Sequence, residues 1–424
     1  MKKGLVISWY FPPINSSEGL VTFKLLKNSK YKYDVFTQNS NEGWSYGSNA
    51  DKLTSSNVNT IFSKTSDINE WVNEGVEYYE NNQDKYDFIM SRSMAPESHM
   101  IALEIKRRHP NVKWIASFGD PIADNPYSYF SKKTNPYTIR GMGIENIPFK
   151  YALNPIRIVK SSVWKIRYRR YLRKYDPEKK NVILQRDVLR LADEIILNNE
   201  YQKMHMLKTC ANAEEVEKKI IVIPHTYDAD FYEKKVKKDD SIIKIVYLGH
   251  LDEIRTPKNF LEALDRLNKN YDLKDKLVVE FYGDLDDKDK VRIIDFNLVD
   301  VVKFKKPVSY FESLKVMQES DWVLLVDANL SSFLNENIFF AAKIADYLGA
   351  GTNIFGITMP EGASADILRE TNSILSSYST DEIYMYLKQI VDKNCSYKTV
   401  NADHYDIKNV VGKYDNMVKE LIEK

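Results

Sequence analysis

Two cations stand where the chain leaves a predicted strand and begins a predicted helix. The strand is Lys244–Gly249, and the cations are Arg255 and Lys258, on either side of Thr256 and Pro257. Threonine can cap a helix and proline suits its first turn, where backbone N–H groups are free. A pyrophosphate at this point would meet a guanidinium, an ammonium and the positive end of a helix dipole. The alternative is that both cations are surface charges on a loop.

A second pair of charges, Lys343 and Asp346, lies three residues apart in the predicted helix Phe339–Leu348. Residues at this spacing share one face of a helix. Small residues at 349–351 then allow a tight turn into the predicted strand Asn353–Ile357. A carboxylate near a helix start can accept both hydroxyls of a ribose, as acidic residues do in dinucleotide-binding folds. Lys343 either helps to hold phosphates or only pairs with Asp346.

Short apolar runs alternate with helical patterns along the whole chain, and this order is typical of a doubly wound α/β protein. The first series of predicted strands begins with Gly4–Tyr10, and the second begins with Lys244–Gly249. Two successive Rossmann-like series imply two domains that face a central cleft, residues 1–226 and residues 227–404. The apolar face of the last predicted helix, within residues 405–424, indicates that it packs back on the first domain.

The composition favours a globular protein in a reducing compartment. The chain has 424 residues, of which 43% are hydrophobic and 29% charged, and this suits about two domains with cores of their own. Its two cysteines, Cys210 and Cys395, are far apart, so we expect a cytoplasmic protein without a disulfide framework. No apolar run is long enough to span a membrane, and the opening run ends at Pro12, so we expect a buried first strand rather than a signal peptide.

Charge is divided unevenly along the chain. Residues 1–225 carry 34 Lys and Arg against 25 Asp and Glu, a net charge of +9, whereas the remainder carries −8. Ten of the cations lie in residues 157–180, and aromatic side chains at helical spacing run beside them. We therefore expect residues 156–175 to dock on an anionic membrane surface, or alternatively to pack this stripe on the first domain with the cations in solvent. We expect no nucleic acid as a partner.

Short segments of the chain resemble, in the same order, motifs of the family-4 glycosyltransferases, which are retaining enzymes of the GT-B fold that use sugar nucleotides. The segments are Tyr10–Gly19 (similar to FPP-x-x-GG), Met94–His99 (P-x-S-x-H), Ser117–Pro121 (F-R-D-P-W), Ile223–Asp228 (IP-N-G-x-D), Tyr247–Lys258 (G-R-L-x-x-x-K-G), Phe281–Gly283 (x-Y-G) and Asn337–Gly351 (PSK-x-x-EYL-x-x-G-x-P). Each match is short, and their order along one chain carries the resemblance.

The resemblance implies a donor site in residues 227–404. The residues at the motif positions are Gly249, Arg255, Lys258, Tyr282, Lys343 and Asp346. The cations and Gly249 would contact the donor phosphates, Tyr282 would lie at the base or ribose, and Asp346 would accept the ribose hydroxyls. The chain departs from the family at His250, which replaces an arginine, and at Ile338, which stands where the family often has a second glutamate.

The resemblance also implies an acceptor site in residues 1–226. Its loop residues, which would lie against donor phosphate and acceptor, are Ser16, Ser17, Glu18 and Gly19. Glu18 would bring a charge to this loop, or alternatively only cap a helix. Asp120 would orient the acceptor hydroxyl or take its proton, or alternatively only form a turn. His99 would be a second catalytic residue in the cleft, or alternatively lie on a helix surface.

The resemblance implies a retaining, metal-independent hexosyltransferase of the GT-B fold. We expect it to move sugar from a nucleotide sugar, most simply a UDP-sugar, to a surface-glycan or lipid-linked acceptor in polysaccharide biosynthesis, at the inner face of the membrane. No cofactor besides the donor substrate is expected, because the six histidines are scattered. The chain has no Gly-x-Gly-x-x-Gly or P-loop, which argues against a dehydrogenase or a kinase. The alternatives are a catalytically degenerate scaffold subunit of the same fold and a nucleotide-sugar epimerase.

Overall fold

The computed structural model describes residues 2–39, 50–127, 177–208, 210, 212–234, 242–252, 254–283 and 285–424. The chain divides into two compact units, of which the larger combines Met1–Gly119 with Ala192–Lys424 and the smaller is Asp120–Leu191. Residues 156–175, which the sequence predicts to dock on a membrane, lie outside the described residues.

Two parallel sheets form the framework of the larger unit. The first contains β1 (Lys3–Ser8), β2 (Lys32–Thr37), β3 (Val58–Phe62), β4 (Phe88–Arg92), β5 (Trp114–Ser117), β6 (Glu194–Leu197) and β7 (Ile220–Val222). The second contains β8 (Ile243–Leu248), β9 (Leu277–Tyr282), β10 (Val302–Lys305), β11 (Trp322–Val326), β12 (Asn353–Ile357) and β13 (Ile374–Ser376). In the described part of the chain the strand orders are β3-β2-β1-β4-β5-β6-β7 and β10-β9-β8-β11-β12-β13.

Helices follow most of the strands. In chain order they are α1 (Ser17–Asn28), α2 (Ile68–Glu80), α3 (Pro96–Arg108), α4 (Pro177–Leu191), α5 (Glu200–Leu207), α6 (Ala213–Glu217), α7 (Lys258–Tyr271), α8 (Asp287–Asp295), α9 (Tyr310–Gln318), α10 (Lys343–Ala350), α11 (Ala363–Glu370), α12 (Thr380–Val391) and α13 (Ile407–Glu423). Strands β4 and β11 are buried along their whole length, as strands covered by helices on both faces must be. The predicted α/β class with two successive doubly wound sheets is confirmed.

Within the smaller unit, one glutamine ties helix α4 to the chain that opens the unit. The side-chain oxygen Oε1 of Gln185 accepts hydrogen bonds from the backbone N–H groups of Ile122 at 2.9 Å and Ala123 at 3.0 Å. Gln185 is only 3% exposed, so its amide is held inside this unit.

The start of α10 differs from the sequence prediction. The helix begins at Lys343 rather than at Phe339, and the apolar residues before it are buried without being helical. Asn337 accounts for this difference: its Oδ1 accepts the N–H of Phe339 at 3.0 Å, and its own backbone N–H donates to the carbonyl of Glu361 at 2.9 Å. These bonds replace the first helical turn that periodicity alone predicts.

Two strands escape the sequence prediction. Strand β3 alternates between half-buried and exposed residues and carries Asn59, so its apolar signal is weak. Strand β13 is three residues long, too short for a pattern of period two. Both are edge strands in the strand orders given above, and each pairs in parallel with its one neighbour.

The last helix, α13, packs against α1 and the first sheet. Its apolar face is buried, and Tyr414 lies within hydrogen-bond distance of the sulfur of Met90, at 3.6 Å from phenol oxygen to Sδ. The carboxylate of Asp415 accepts from the Ser29 hydroxyl at 2.6 Å and from the backbone N–H of Lys30 at 3.2 Å. The C-terminal helix is therefore attached to the end of α1 by both apolar and polar contacts.

We expect the Asp415→Ala variant to lose about 1–3 kcal/mol of stability, because a buried donor at Ser29 loses its acceptor. The urea midpoint measures this loss. Glu420→Gln on the same helix is the control, because Glu420 is exposed and its change should leave the midpoint within error. Equal midpoints for the two variants would contradict the anchoring role of Asp415.

Candidate active site

The chain turns at Gly249 directly after β8 and at Gly283 directly after β9, and both turns require glycine. Gly249 and Gly283 have φ values of +129° and +136°. The N–H of Gly249 donates to the carbonyl of Tyr282 at 3.1 Å, and a Cβ on Gly283 would lie 2.5 Å from the carbonyl oxygen of Gly249. A Cβ on Gly249 would lie 2.7 Å from Nζ of Lys343. The turn is therefore shaped around the end of that lysine.

Lys343, the first residue of α10, points its ammonium at the end of β8. Its Nζ donates to the carbonyl of Leu248 at 3.0 Å and to the Tyr247 hydroxyl at 3.3 Å, and it lies 4.6 Å from the centre of the Tyr247 ring. Burial, and next the positive charge of Arg255, lower the pKa of Lys343 to about 8. The positive charge of Arg255 disfavours the charged form of Lys343, so an anion bound at this ammonium would offset that effect.

The loop after β8 holds Arg255 by its backbone. Its N–H donates to Asp252 Oδ1 at 2.9 Å, and this fold of the loop returns the chain toward α7. Lys258 is the exposed first residue of α7, and its Nζ lies 3.8 Å from Oε1 of Glu262. The structure thus brings Lys343 to the Gly249 turn, with the charge of Arg255 acting on its ammonium, while Lys258 lies at the exposed helix start.

Asp346 does not pair with Lys343, which excludes the simpler sequence interpretation of that lysine. Its Oδ1 instead accepts from Tyr310 at 2.9 Å and lies 3.2 Å from Nζ of Lys24, a residue of α1. The phenol of Tyr232 donates to the backbone carbonyl of Asp346 at 3.0 Å. Because α10 begins at Lys343 rather than at Phe339, Asp346 is in its first turn, and it contacts helices of both sheets.

Tyr282 ends β9 with its phenol directed at a carboxylate of the same strand. The hydroxyl donates to Oε2 of Glu280 at 2.9 Å, and Glu280 lies 3.2 Å from the ammonium groups of Lys244 and Lys305. Burial, and then the hydrogen bond to Glu280, raise the pKa of Tyr282, so the phenol stays protonated. Its hydroxyl is engaged in the sheet, and the contact that remains available to a ligand is the ring.

The carboxyl edge of the first sheet carries an ion pair. Nε and Nη2 of Arg92, the last residue of β4, lie 2.9 Å and 2.7 Å from Oε2 of Glu18, and Nη1 donates to the Ser117 hydroxyl at 2.9 Å. A Cβ on Gly119 would lie 2.7 Å from either Glu18 oxygen, so Gly119 leaves the space that this carboxylate occupies. Glu18 is held by Arg92 at the start of α1.

Ser16, and not Glu18, caps α1. The Ser16 hydroxyl accepts from the N–H of Gly19 at 3.5 Å, while Ser17 is exposed at the first helical position. Gly19 is buried against the backbone of Phe11, and a Cβ on Gly19 would lie 3.1 Å from the Cα of Phe11. The predicted loop residues are therefore together at one helix start. Ser16 caps the helix, Glu18 pairs with Arg92, Gly19 packs on Phe11 and Ser17 faces solvent.

His99 lies in the interior. It is 0% exposed, its Nδ1 is 2.7 Å from the Ser91 hydroxyl, and its ring is 4.5 Å from that of Phe118. Burial, and next the charge of Arg92, lower its pKa to about 3, so the imidazole is neutral at ordinary pH. The sequence places His99 on α3 correctly but does not show which face of that helix is covered. Both predicted places for His99, the cleft and the helix surface, are therefore wrong, because the side chain is fully buried.

Sequence reasoning misses Arg92 and Lys24, which hold the two carboxylates of the site. Both are buried, at 6% and 2% exposed. A signal exists for Arg92, because it ends a short strand that opens with three apolar residues, and a charged residue there is rarely buried without a partner. No local signal identifies Lys24, because its partner is 322 residues away.

Asp120 is the first residue of the smaller unit, three residues after Ser117, where β5 ends. In the described residues, no group of three or more His, Cys, Asp or Glu side chains could hold a metal ion. No helix in the described ranges is long and apolar enough to cross a membrane.

No protein-family model matches the sequence, and no curated protein matches it. Solved structures are similar over the whole chain. Sucrose-phosphate synthase from Thermosynechococcus elongatus has a TM-score of 0.66 at 11% identity, covering 100% of both chains. The lipopolysaccharide outer core galactosyltransferase WaaB has a TM-score of 0.59 at 10% identity, covering 99% of both.

A third similar structure is the UDP-GlcNAc 2-epimerase from Neisseria meningitidis bound to UDP-GlcNAc, with a TM-score of 0.53 at 12% identity, covering 99% of this chain and 100% of the other. Identities this low show the fold alone. The two parallel sheets and these whole-chain similarities show that the protein has the GT-B fold.

Proposed function

We propose that this protein is a glycosyltransferase that takes its sugar from a UDP-sugar and retains the anomeric configuration. The observation that carries the proposal is the ammonium of Lys343 against the Gly249 turn, with Arg255 close enough to lower its pKa. Residues 227–404 would bind the donor and residues 1–226 the acceptor. The proposal is supported by a galactosyltransferase of the same fold and by an epimerase of that fold that binds UDP-GlcNAc.

The chemistry assigned to the donor site is stabilisation of the leaving group. As the glycosidic bond breaks, the sugar becomes oxocarbenium-like and negative charge grows on the departing diphosphate. Lys343, Arg255 and the first N–H groups of α10 would meet that charge from fixed positions. Because the Lys343 ammonium is already in place at the Gly249 turn, this donor would need little reorganisation during the reaction.

On the acceptor side, Glu18 supplies a carboxylate whose position Arg92 fixes. Asp120 would orient the acceptor hydroxyl or take its proton. The acceptor class we propose is a surface glycan or a lipid-linked glycan, and residues 156–175 would bring the protein to an anionic cytoplasmic membrane face. This last step rests on the charge and aromatic pattern of the sequence alone.

A nucleotide-sugar epimerase is the second candidate, because an epimerase with UDP-GlcNAc bound shares this fold. A scaffold subunit without catalysis is the third, because the position of the family's second glutamate is Ile338, a residue only 1% exposed. The three differ in what becomes of a UDP-sugar.

Incubating the protein with UDP-sugars and analysing products by chromatography separates these candidates. A transferase releases UDP, slowly with water and faster with a glycan acceptor. An epimerase yields a different UDP-sugar without releasing UDP, and a scaffold binds UDP but changes nothing. Release of UDP that an acceptor accelerates would support the proposal, and an epimeric product would replace it.

We expect Asp120→Asn to lower kcat by about 10²- to 10⁴-fold with the Kd for UDP unchanged, because it removes a proton acceptor and not a donor contact. Asp124→Asn in the same unit is the control, since asparagine tolerates the positive φ of 56° at that position. If the two variants turn over equally fast, Asp120 only forms a turn.

A further inference from the structure

A lysine of the first sheet's helix reaches the carboxylate that we assign to the ribose. Lys24 lies in α1, and its Nζ is 3.2 Å from Oδ1 of Asp346 in α10. The lysine side chain is 3% exposed and the aspartate side chain 15%. An ammonium buried to this extent is stable only with a partner, so the pair is a fixed part of the fold.

The two oxygens of Asp346 have different environments. Oδ1 is shared by Lys24 and by the phenol of Tyr310 at 2.9 Å. Burial, and then the charge of Asp346, raise the pKa of Tyr310, so its hydroxyl remains a donor. Among the described residues Oδ2 has no hydrogen-bond partner, and it is the oxygen that remains to accept a ligand hydroxyl.

Asp346 follows Lys343 by three residues, so the two side chains leave the same face of α10 about one helical turn apart. A nucleotide with its diphosphate at Lys343 would bring its ribose to this first turn of α10. Lys24 lies on α1, a helix of the first sheet, six residues after Glu18 in the helix that carries the acceptor loop. The Lys24 side chain therefore connects α1, the helix that carries the acceptor loop, to the carboxylate of Asp346.

We propose that Lys24 is a positioning residue for the nucleotide. It holds Oδ1 of Asp346 so that Oδ2 faces the ribose hydroxyls, and it makes nucleotide affinity depend on the contact between α1 and α10. The inference rests on the proposed function, because it needs a nucleotide at Lys343. The alternative is that the pair only joins the two helices.

A second ion pair of α1 supplies a matched comparison. Nζ of Lys27 lies 2.8 Å from Oδ2 of Asp228, which is 0% exposed. It also joins α1 to a segment outside the first sheet, but it does not touch Asp346. A variant that loses this pair should lose stability to a similar degree without any effect specific to the ribose.

Calorimetric titration with UDP and with 2′,3′-dideoxy-UDP tests the proposal. The wild type should bind UDP more tightly than the dideoxy analogue. Lys24→Met should weaken UDP binding roughly tenfold and the analogue little, so that the two affinities become similar. Lys24→Arg should restore most of the difference, and Lys27→Met should keep it. Asp346→Asn, which retains the size of the side chain, should also remove the difference, and it serves if Lys24→Met does not fold.

Equal weakening of both ligands by Lys24→Met, or an unchanged preference for UDP, would show that the pair is only structural. A wild type that binds both ligands equally would refute ribose recognition by Asp346, while the donor site at Lys343 would stand. A wild type that binds neither would overturn the proposed function together with this inference.

Discussion

The Lys343→Met variant is expected to bind UDP about 10- to 100-fold more weakly than the wild type, with little change in its affinity for uridine. Methionine keeps the length of the side chain and removes the charge, so the loss measures a charge-assisted contact to phosphate, worth about 1.5–3 kcal/mol. Calorimetric titration gives both affinities. Lys388→Met is the control, because Lys388 on α12 is half exposed and its contacts, Asp392 and the Tyr271 ring, are not residues of the proposed donor site.

The same titration should depend on pH in one direction. In the free protein the pKa of Lys343 is about 8, below its ordinary value of 10.5, because of burial and the charge of Arg255. A bound diphosphate favours the charged form and raises that pKa, so UDP binding takes up a proton above about pH 8 and weakens as pH rises further. Below that pH this group adds no dependence. Titrations at pH 9 in buffers of different ionisation enthalpy should show the uptake in the wild type and not in Lys343→Met.

This pKa also affects stability with a definite sign. Because the folded pKa is lower than the unfolded one, the unfolded chain binds more protons between about pH 8 and pH 10.5. The contribution of Lys343 to stability therefore increases with pH across that window.

If Lys343→Met bound UDP as tightly as the Lys388→Met control, the assignment of Lys343 to the phosphates would be wrong.

Loss of Arg92 is the second large effect that we expect. The Arg92→Met variant should lose about 3 kcal/mol of unfolding free energy, at the lower end of the range for breaking a buried ion pair, because Glu18 is 16% exposed. Its turnover should fall as well, since Glu18 is no longer held at the sheet edge. UDP affinity should remain, because Lys343 and Arg255 belong to the second sheet.

Urea unfolding and a UDP titration measure these effects together. Arg266→Met is the control, because Arg266 is half exposed and its partner Asp381 is almost fully exposed, so it should cost less than about 1 kcal/mol. The double variant Arg92→Met, Glu18→Gln should recover part of the stability, since it removes the unpaired charge. A single variant as stable as the control would show that the pair adds nothing to the fold.

The sequence predicts those features of the site that depend on neighbouring residues. Gly249 and Gly283 follow apolar strands directly, and Lys343 precedes a turn of small residues, so each leaves a local pattern. Parallel strands bring their carboxyl ends to one edge, and this rule places the glycine turn and the lysine together without coordinates.

The contacts that fix the carboxylates depend on residues far apart in the chain. Arg92 and Glu18 are 74 residues apart, and Lys24 and Asp346 are 322 apart. No periodicity connects such residues, because their distance is set by how the helices pack on the sheets. His99 shows the same limit in reverse: α3 is visible in the sequence, yet the face that β4 and Phe118 cover is a property of the packed structure.

A crystal structure with UDP bound would show the donor site itself. We expect the diphosphate within hydrogen-bond distance of Lys343 Nζ and Arg255, beside the Gly249 turn, with the ribose hydroxyls on Oδ2 of Asp346. A diphosphate at the Ser16–Gly19 loop instead, with Lys343 still bonded only to Leu248 and Tyr247, would contradict the assignment of the donor site.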